Sequence, residues 1–294
     1  MGKNKEQIAI NVSRNTIIGN IAMFVLKLIA GLVGHSAAMI SDAIHTLSDV
    51  FSTIIVIIGV KLANREADDN HPYGHERFES VAALILAGIL LATGLGIGYS
   101  GLQTVLSGGY DSLIVPGTIA LIAAIISILA KEVMYWYTRN AAKKINSGAL
   151  MADAWHHRSD ALSSIGSFIG ILGAQIGFPI MDSLASLVIS IFIIKVSIDI
   201  FLDAISKMTD RAVDDDIQKK IHSIALAQEG VRGVDQLKTR MFGDKIYVDI
   251  EIRLDMLTPL YISDEIAHLV HDAIEEAIPD VKHCMVHVNP DLPD

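Results

Sequence analysis

The sequence predicts an α-helical membrane protein: a six-transmembrane-helix bundle (residues 1–208) followed by a small cytosolic α-β-β-α-β domain (residues 209–294). Hydrophobic residues make up 51% of its 294 residues and charged residues only 19%, and the mean hydropathy is +0.46. Soluble domains rarely combine these values. The composition changes after Thr209, where acidic residues become frequent.

Six apolar runs are each long enough to cross a bilayer, which requires about 20 residues. The second and fifth runs also contain polar motifs, so they are the least apolar of the six. The runs cover residues 12–33, 37–62, 81–106, 114–137, 152–176 and 180–204.

Positive charges predict how the bundle is oriented. Lys and Arg residues precede the first run, flank the loop after the second and follow the sixth. Others lie near the fourth run: Lys131, Arg139, Lys143 and Lys144. The intervening turns contain neither residue type. By the positive-inside rule, both termini are expected in the cytoplasm. The short chain without a long His-rich loop predicts a prokaryotic plasma membrane.

The tail from Asp210 onward carries 18 Asp or Glu and 9 Lys or Arg, so it holds −9 of the net charge of −10. The tail lacks the basic surface that nucleic-acid binding requires, so nucleic-acid binding is not expected. The single cysteine, Cys284, fits a reducing cytosol and no disulfide framework.

Periodic apolar residues predict that this tail is folded. Ile217, Ile221 and Ile224 suit one helix face, and residues 247–254 alternate as in a half-buried strand. A hairpin turn is expected at residues 243–244, just before that strand. A second helix is expected over 262–278 and a last strand over 282–288.

The pattern D-A-x-H-x-x-S-D occurs twice, as DAIHTLSD at residues 42–49 and DAWHHRSD at residues 153–160. Residues four apart share a helix face. His45 therefore projects with Asp49 from the second run, and His156 projects with Asp160 from the fifth. Two such helices side by side would bring two imidazoles and two carboxylates to one point.

That ligand set suits a divalent transition metal such as zinc. The carboxylates neutralise the ion, which matters in a bilayer, where an uncompensated charge costs at least about 2.5–3.5 kcal/mol. Without metal, buried carboxylates take up protons, so metal–proton exchange is expected. The alternative is polar helix-end residues that reach the interface. Asp42 and Asp153 are either ligands or structural, and His157 and Arg158 are interpreted as structural.

The loop after the second run reads DDNHPYGHERFE over residues 68–79. With the paired H-x-x-x-D motifs and the acidic tail, it resembles the cation diffusion facilitator family over essentially the whole chain. The resemblance implies a homodimer that exports a divalent metal from the cytosol by proton antiport and alternating access. It implies a transporter rather than an enzyme, no cofactor beyond the transported ion, and a transport site of His45, Asp49, His156 and Asp160.

The metal expected from this resemblance is Zn²⁺. Family members with His at the first position of the second-helix motif resemble zinc transporters, and this chain has His45 there. Nitrogen ligands favour zinc over magnesium, calcium or manganese. Mn²⁺, Fe²⁺, Cd²⁺ and Co²⁺ remain alternatives.

The resemblance implies two further features near the membrane. Asp68, His71 and His75 match a second zinc site in the loop; the alternative is histidines that cap helices or pair with acids. Arg77 and Asp210 match a charge pair that locks the transmembrane part at the dimer interface; the alternative is two unrelated charges.

The tail departs from the family's histidine-rich metal pattern, so a two-metal site of that kind is not expected. The matching positions hold Asp235, Glu251 and Asp264, with His287 retained and Asn289 in place of an acid. A weaker regulatory site is the hypothesis, with candidates Asp249, Glu251, Asp264 and His287. A solvated acidic face is the alternative. The tail, a metallochaperone-like regulatory domain, is expected to dimerise.

Three other functions compete with zinc export: export of Mn²⁺ or Fe²⁺ on the same scaffold, a membrane metalloenzyme, and a metal sensor without flux. The sequence lacks the H-E-x-x-H motif that is expected of a membrane metalloenzyme. Six polar-cored spans exceed what a sensor needs. The sequence contains no P-loop pattern, so ATP use is not expected.

Overall fold

The computed structural model describes residues 2–33, 37–107, 118–175 and 180–292, although some helical side chains, including those of Asp42 and His45, lie outside the described part. The chain forms two compact units, Met1–Ala204 and Ile205–Asp294. In chain order, the described elements are α1 (Gly2–Val33), α2 (Ala37–Ala63), α3 (Arg77–Ser107), α4 (Thr118–Ile145), α5 (Gly148–Gln175), α6 (Ile180–Met208), α7 (Asp215–Leu226), β1 (Gly233–Phe242), β2 (Lys245–Asp255), α8 (Leu260–Ala277) and β3 (Val281–Asp291).

Helices α1 to α6 confirm the six predicted runs within the described residues, and several extend beyond them. Residues 114–117 of the fourth run and residue 176 of the fifth lie outside the described part. Helix α1, for example, begins at Gly2 rather than at residue 12. Polar residues can continue a helix because its backbone hydrogen bonds are internal. Among the described residues, Lys5–Ile29 and Arg77–Ser107 are long and apolar enough, by length and composition, to cross a membrane.

The packing of the first unit places α2 and α5 in contact with each other. Helix α5 also packs against α3 and α4, and α1 packs against α2 and α4. Helices α2 and α3 approach closely at Gly59, where an added Cβ would lie 2.4 Å from the Cβ of Ala82. Small residues allow such close backbone approach between membrane helices.

The second unit confirms the predicted α-β-β-α-β order. Its sheet has the order β1-β2-β3; β1 and β2 are antiparallel, and β2 and β3 are parallel. The predicted hairpin turn is present, with Gly243 at a φ of 65°. Alternate residues of β2 face the two helices, and the shared core includes Ile221, Val248, Ile250, Ile252, Val270 and Ile274.

Cys284 lies in this core, with 1% of its surface exposed. Burial, reinforced by the nearby Glu275 and Asp249 carboxylates, raises the pKa of its thiol to about 12. The thiolate is the reactive form of cysteine. We therefore expect the thiol reagent dithiobis(nitrobenzoate) to label Cys284 far more slowly in the folded protein at pH 8 than in the protein unfolded in guanidinium. Equal rates in the two states would contradict this burial.

Candidate metal centre

A tight turn between α4 and α5 sets the position of the second polar motif. Asn146 adopts a φ of 57°, a left-handed conformation that asparagine tolerates better than most residues. The Oγ of Ser147 then accepts a hydrogen bond from the N–H of Leu150 (3.1 Å) and so caps the start of α5. Because this connection is so short, α4 and α5 run back along each other as a helical hairpin.

Asp49 of α2 meets His156 and Asp160 of α5, and these three residues are called the buried cluster below. One ligand atom from each lies within 4.8 Å of the others. Their exposed fractions are only 1%, 5% and 7%. The Nε2 of His156 is 3.4 Å from Oδ1 of Asp49 but makes no hydrogen bond with a described residue. Two carboxylates and one imidazole suit a divalent transition metal.

Lys131 of α4 completes this cluster. Its Nζ donates to Oδ2 of Asp49 (2.5 Å) and to Oδ2 of Asp160 (2.8 Å), and the side chain is buried. From the sequence, Lys131 was counted only among the positive charges near the fourth run, and these contacts with the two acids were not predicted. A buried ammonium between two carboxylates neutralises charge that would otherwise be expensive inside the bundle.

The sequence did contain a signal for Lys131. It stands inside an apolar stretch, and its distance from the Asn146 turn resembles that of Asp160 on the other arm of the hairpin. In a helical hairpin, residues at similar distances from the turn lie opposite each other. A lone lysine in such a position requires an acidic partner, because an unpaired charge inside a membrane is costly.

Asp153 lies outside the buried cluster and supports the contact between α2 and α5. Thr53 of α2 donates from Oγ1 to Oδ1 of Asp153 (3.2 Å). The other carboxylate oxygen lies 3.7 Å from Nε2 of His157, and both residues are fully buried. This arrangement favours the structural interpretation of Asp153 and His157.

Arg158 points toward α4, as expected for a structural residue. Its Nη1 donates to Oε2 of Glu132 (3.2 Å), and its guanidinium carbon lies 4.5 Å from the centre of the Tyr135 ring. These contacts add an ion pair and a cation–π interaction to the α4–α5 hairpin.

The side chains of His45 and Asp42 lie outside the described part of the structure, although both residues belong to α2. The fourth predicted ligand, His45, therefore stays a prediction, as does the role of Asp42.

The loop between α2 and α3 brings together the three residues that the sequence suggested, here called the loop cluster. Oδ1 of Asp68 lies 3.2 Å from Nδ1 of His71, and Oδ2 lies 3.4 Å from Nε2 of His75. The two imidazole centres are 4.4 Å apart. Desolvation alone would raise the pKa of Asp68, but hydrogen bonds from His71 and Asn70 outweigh it and lower that pKa. A carboxylate that stays ionised beside two imidazoles can bind a metal.

The predicted cytosolic set is dispersed within the second unit. Glu251 and His287 pair across the strands β2 and β3, but the exposed Asp264 lies on α8 and pairs with His268 (3.8 Å). Among the described residues, Asp249, Glu251, Asp264 and His287 supply no group of three ligand atoms within 4.8 Å. A site built from these four stays a prediction.

Arg77 and Asp210 belong to different units of the chain. Arg77 is the first residue of α3, and Asp210 follows α6 with a φ of 60°. Their pairing stays a prediction.

The chain matches two family models that together span most of its length. The model of the cation efflux transmembrane domain matches residues 15–209, and that of the cation efflux protein cytoplasmic domain matches residues 213–291. The chain belongs to the cation diffusion facilitator family. This family consists of transporters that move divalent metals across membranes, so the protein is an integral membrane transporter. The first match also places all six long helices in a transmembrane domain and confirms the predicted fold class.

Several relatives of this cation diffusion facilitator align over nearly their whole length. The transporter MJ0449 of Methanocaldococcus jannaschii is 37% identical, over 93% of this chain and 95% of its own. The magnetosome protein MamB of Magnetospira is 33% identical, over 92% of each chain. The manganese efflux system protein MneP of Bacillus subtilis is 29% identical, over 99% of each chain. The cytoplasmic-domain match points to dimerisation.

Proposed function

We propose that this transporter exports a divalent transition-metal cation, Zn²⁺ before others, from the cytosol in exchange for protons. It acts as a homodimer in a prokaryotic plasma membrane, with both termini in the cytoplasm. The observation that carries the proposal is the buried cluster of Asp49, His156 and Asp160, held between α2 and α5. Its donor set of one nitrogen and two carboxylates, with His45 as the expected fourth ligand, suits tetrahedral zinc.

Lys131 explains how the buried cluster exists without metal. Its ammonium neutralises Asp49 and Asp160 by direct hydrogen bonds. A metal ion that binds these carboxylates takes the place of the ammonium, which must move away. The cluster therefore always contains a cation, and neither state leaves two carboxylates uncompensated in a low-dielectric interior.

The same ligands support exchange with protons. A metal ion requires an ionised carboxylate and a neutral imidazole, so protons and metal compete for Asp49, His156 and Asp160. When the cluster faces the more acidic side of the membrane, protonation weakens metal binding and promotes release. Alternating exposure of one site to the two sides then couples the two fluxes.

Manganese is the second candidate cargo. The relative MneP, aligned over 99% of this chain, is named as a manganese efflux protein. The two carboxylates of the buried cluster are oxygen donors, which suit Mn²⁺ better than imidazole does. The ratio of oxygen to nitrogen ligands therefore decides between the two metals, and His45 is the residue that shifts it toward zinc.

Metal flux in proteoliposomes tests this proposal. Vesicles with purified protein and an internal metal-sensing dye receive Zn²⁺ or Mn²⁺, with the interior either acidic or at the external pH. We expect zinc uptake that is faster with an acidic interior, since outward proton flow drives inward metal flow, and only background uptake in protein-free vesicles. Manganese uptake without zinc uptake would overturn the metal assignment. Zinc uptake that is independent of the pH gradient would overturn the proton coupling.

A further inference from the structure

A third group of side chains that could hold a metal lies in the cytosolic domain, and it shares no residue with the set that the sequence suggested. His271 and Glu275 stand one turn apart on α8, and His283 lies near the start of β3. One ligand atom from each lies within 4.8 Å of the others. These three residues are called the α8–β3 cluster.

A backbone hydrogen bond determines which nitrogen of His271 faces the cluster. Its Nδ1 lies 2.6 Å from the carbonyl oxygen of Cys284. A carbonyl oxygen only accepts, so Nδ1 carries the hydrogen. The neutral ring then presents the Nε2 lone pair to the cluster. Histidines that bind metals almost always donate their other ring N–H in this way, to a backbone carbonyl or a carboxylate.

The main chain of Cys284 also positions Glu275. Its Oε1 accepts a hydrogen bond from the N–H of Cys284 (3.1 Å) and lies 3.2 Å from Nε2 of His271. With Nδ1 protonated, two electron-rich atoms face each other at this distance. A positive charge between them, from a metal ion or a proton on Nε2, is needed to stabilise the pair.

His283 supplies the third donor. It directly precedes Cys284, the residue that orients the other two, and its ring centre lies 5.8 Å from that of His271. Its side chain is exposed, so a small rotation can bring it onto an ion without disturbing the core. The position is open to solvent, which gives an ion a path of entry.

We propose that His271, Glu275 and His283 bind a zinc-class divalent cation and so link α8 to β3. Two imidazoles and one carboxylate fit such an ion, with water as the fourth ligand. The proposal is independent of the transport mechanism, because none of these residues belongs to the buried cluster. The alternative occupant is a proton, which would make His271 and Glu275 an ordinary ion pair.

Zinc titration of the full-length protein tests this site. The background variant carries Asp160→Asn and His75→Asn, which weaken the other two clusters, and binding is measured calorimetrically in detergent. We expect one remaining zinc ion per chain, and His283→Asn is expected to weaken its binding at least about tenfold, as loss of a ligand should exceed the effect of a residue that orients one. Because His283 is exposed, its replacement leaves the fold intact.

His268→Asn is the matched control. His268 lies on the same helix, is exposed, and pairs with Asp264 rather than with the α8–β3 cluster. Its replacement should leave zinc affinity unchanged. Equal zinc affinity in the His283→Asn and His268→Asn variants, or no binding in the background variant, would overturn the proposal.

Discussion

Replacing Asp160 with asparagine is expected to reduce zinc flux by more than about 100-fold, because changes to residues that only orient metal ligands already cost about 10–100-fold. The substitution keeps the volume of the side chain and removes one charged ligand from the buried cluster. Lys131 keeps its hydrogen bond to Asp49 (2.5 Å), so no buried ammonium is left unpaired. The initial rate of zinc uptake into proteoliposomes measures the effect, and size-exclusion chromatography checks that the protein remains folded and dimeric.

Glu132→Gln is the matched control for this experiment. Glu132 is a carboxylate next to Lys131 on α4, but it pairs with Arg158 (3.2 Å) instead of the buried cluster. Its replacement should leave most of the zinc flux intact. Asp49→Asn should reproduce the loss seen with Asp160→Asn. If both cluster variants retained wild-type flux, the buried cluster would not be the transport site.

Sequence pattern was enough to predict most of the fold and to bring together the three residues of the buried cluster. Residues four apart share a helix face, so His156 and Asp160 could be placed together from spacing alone. The alternation in residues 247–254 similarly predicted strand β2. The proximity of Asp49 to α5 was predicted from the repeated motif, on the hypothesis that its two copies lie on neighbouring helices.

The periodicity of a single helix or strand does not reveal the contacts of Lys131 and His283, since these contacts depend on how the elements pack together. Lys131 reaches Asp49 across 82 residues of sequence, and that contact requires the packing of three helices. His283 meets His271 because β3 lies beside α8, a relation that neither element's own periodicity reveals. A count of positive charges also treats Lys131 in the same way as the Lys and Arg residues of the loops, although Lys131 neutralises buried carboxylates.

Replacing Lys131 with methionine is expected to destabilise the metal-free protein and to tighten its binding of zinc. Removing one partner of a buried ion pair costs about 3–5 kcal/mol, because the remaining charges are left uncompensated. Here the carboxylates of Asp49 and Asp160 would face each other without a cation. Zinc would neutralise them without first displacing an ammonium. Each 1.4 kcal/mol that zinc no longer spends on this displacement makes its binding about tenfold tighter. Thermal unfolding with and without zinc should therefore show a larger zinc-induced rise in Tm than in the wild type.

Two comparisons separate this effect from general damage. Lys61→Met removes an exposed lysine at the end of α2 and should change neither the metal-free Tm nor its response to zinc. Combining Lys131→Met with Asp160→Asn removes one charge of each sign, so the double variant should be more stable without metal than Lys131→Met alone. If Lys131→Met alone matched the wild type in metal-free Tm and in its zinc response, Lys131 would not be the cation that balances the buried cluster. If instead the double variant regained stability but lost its zinc response, Asp160 would be confirmed as the acid that the ammonium and the metal share.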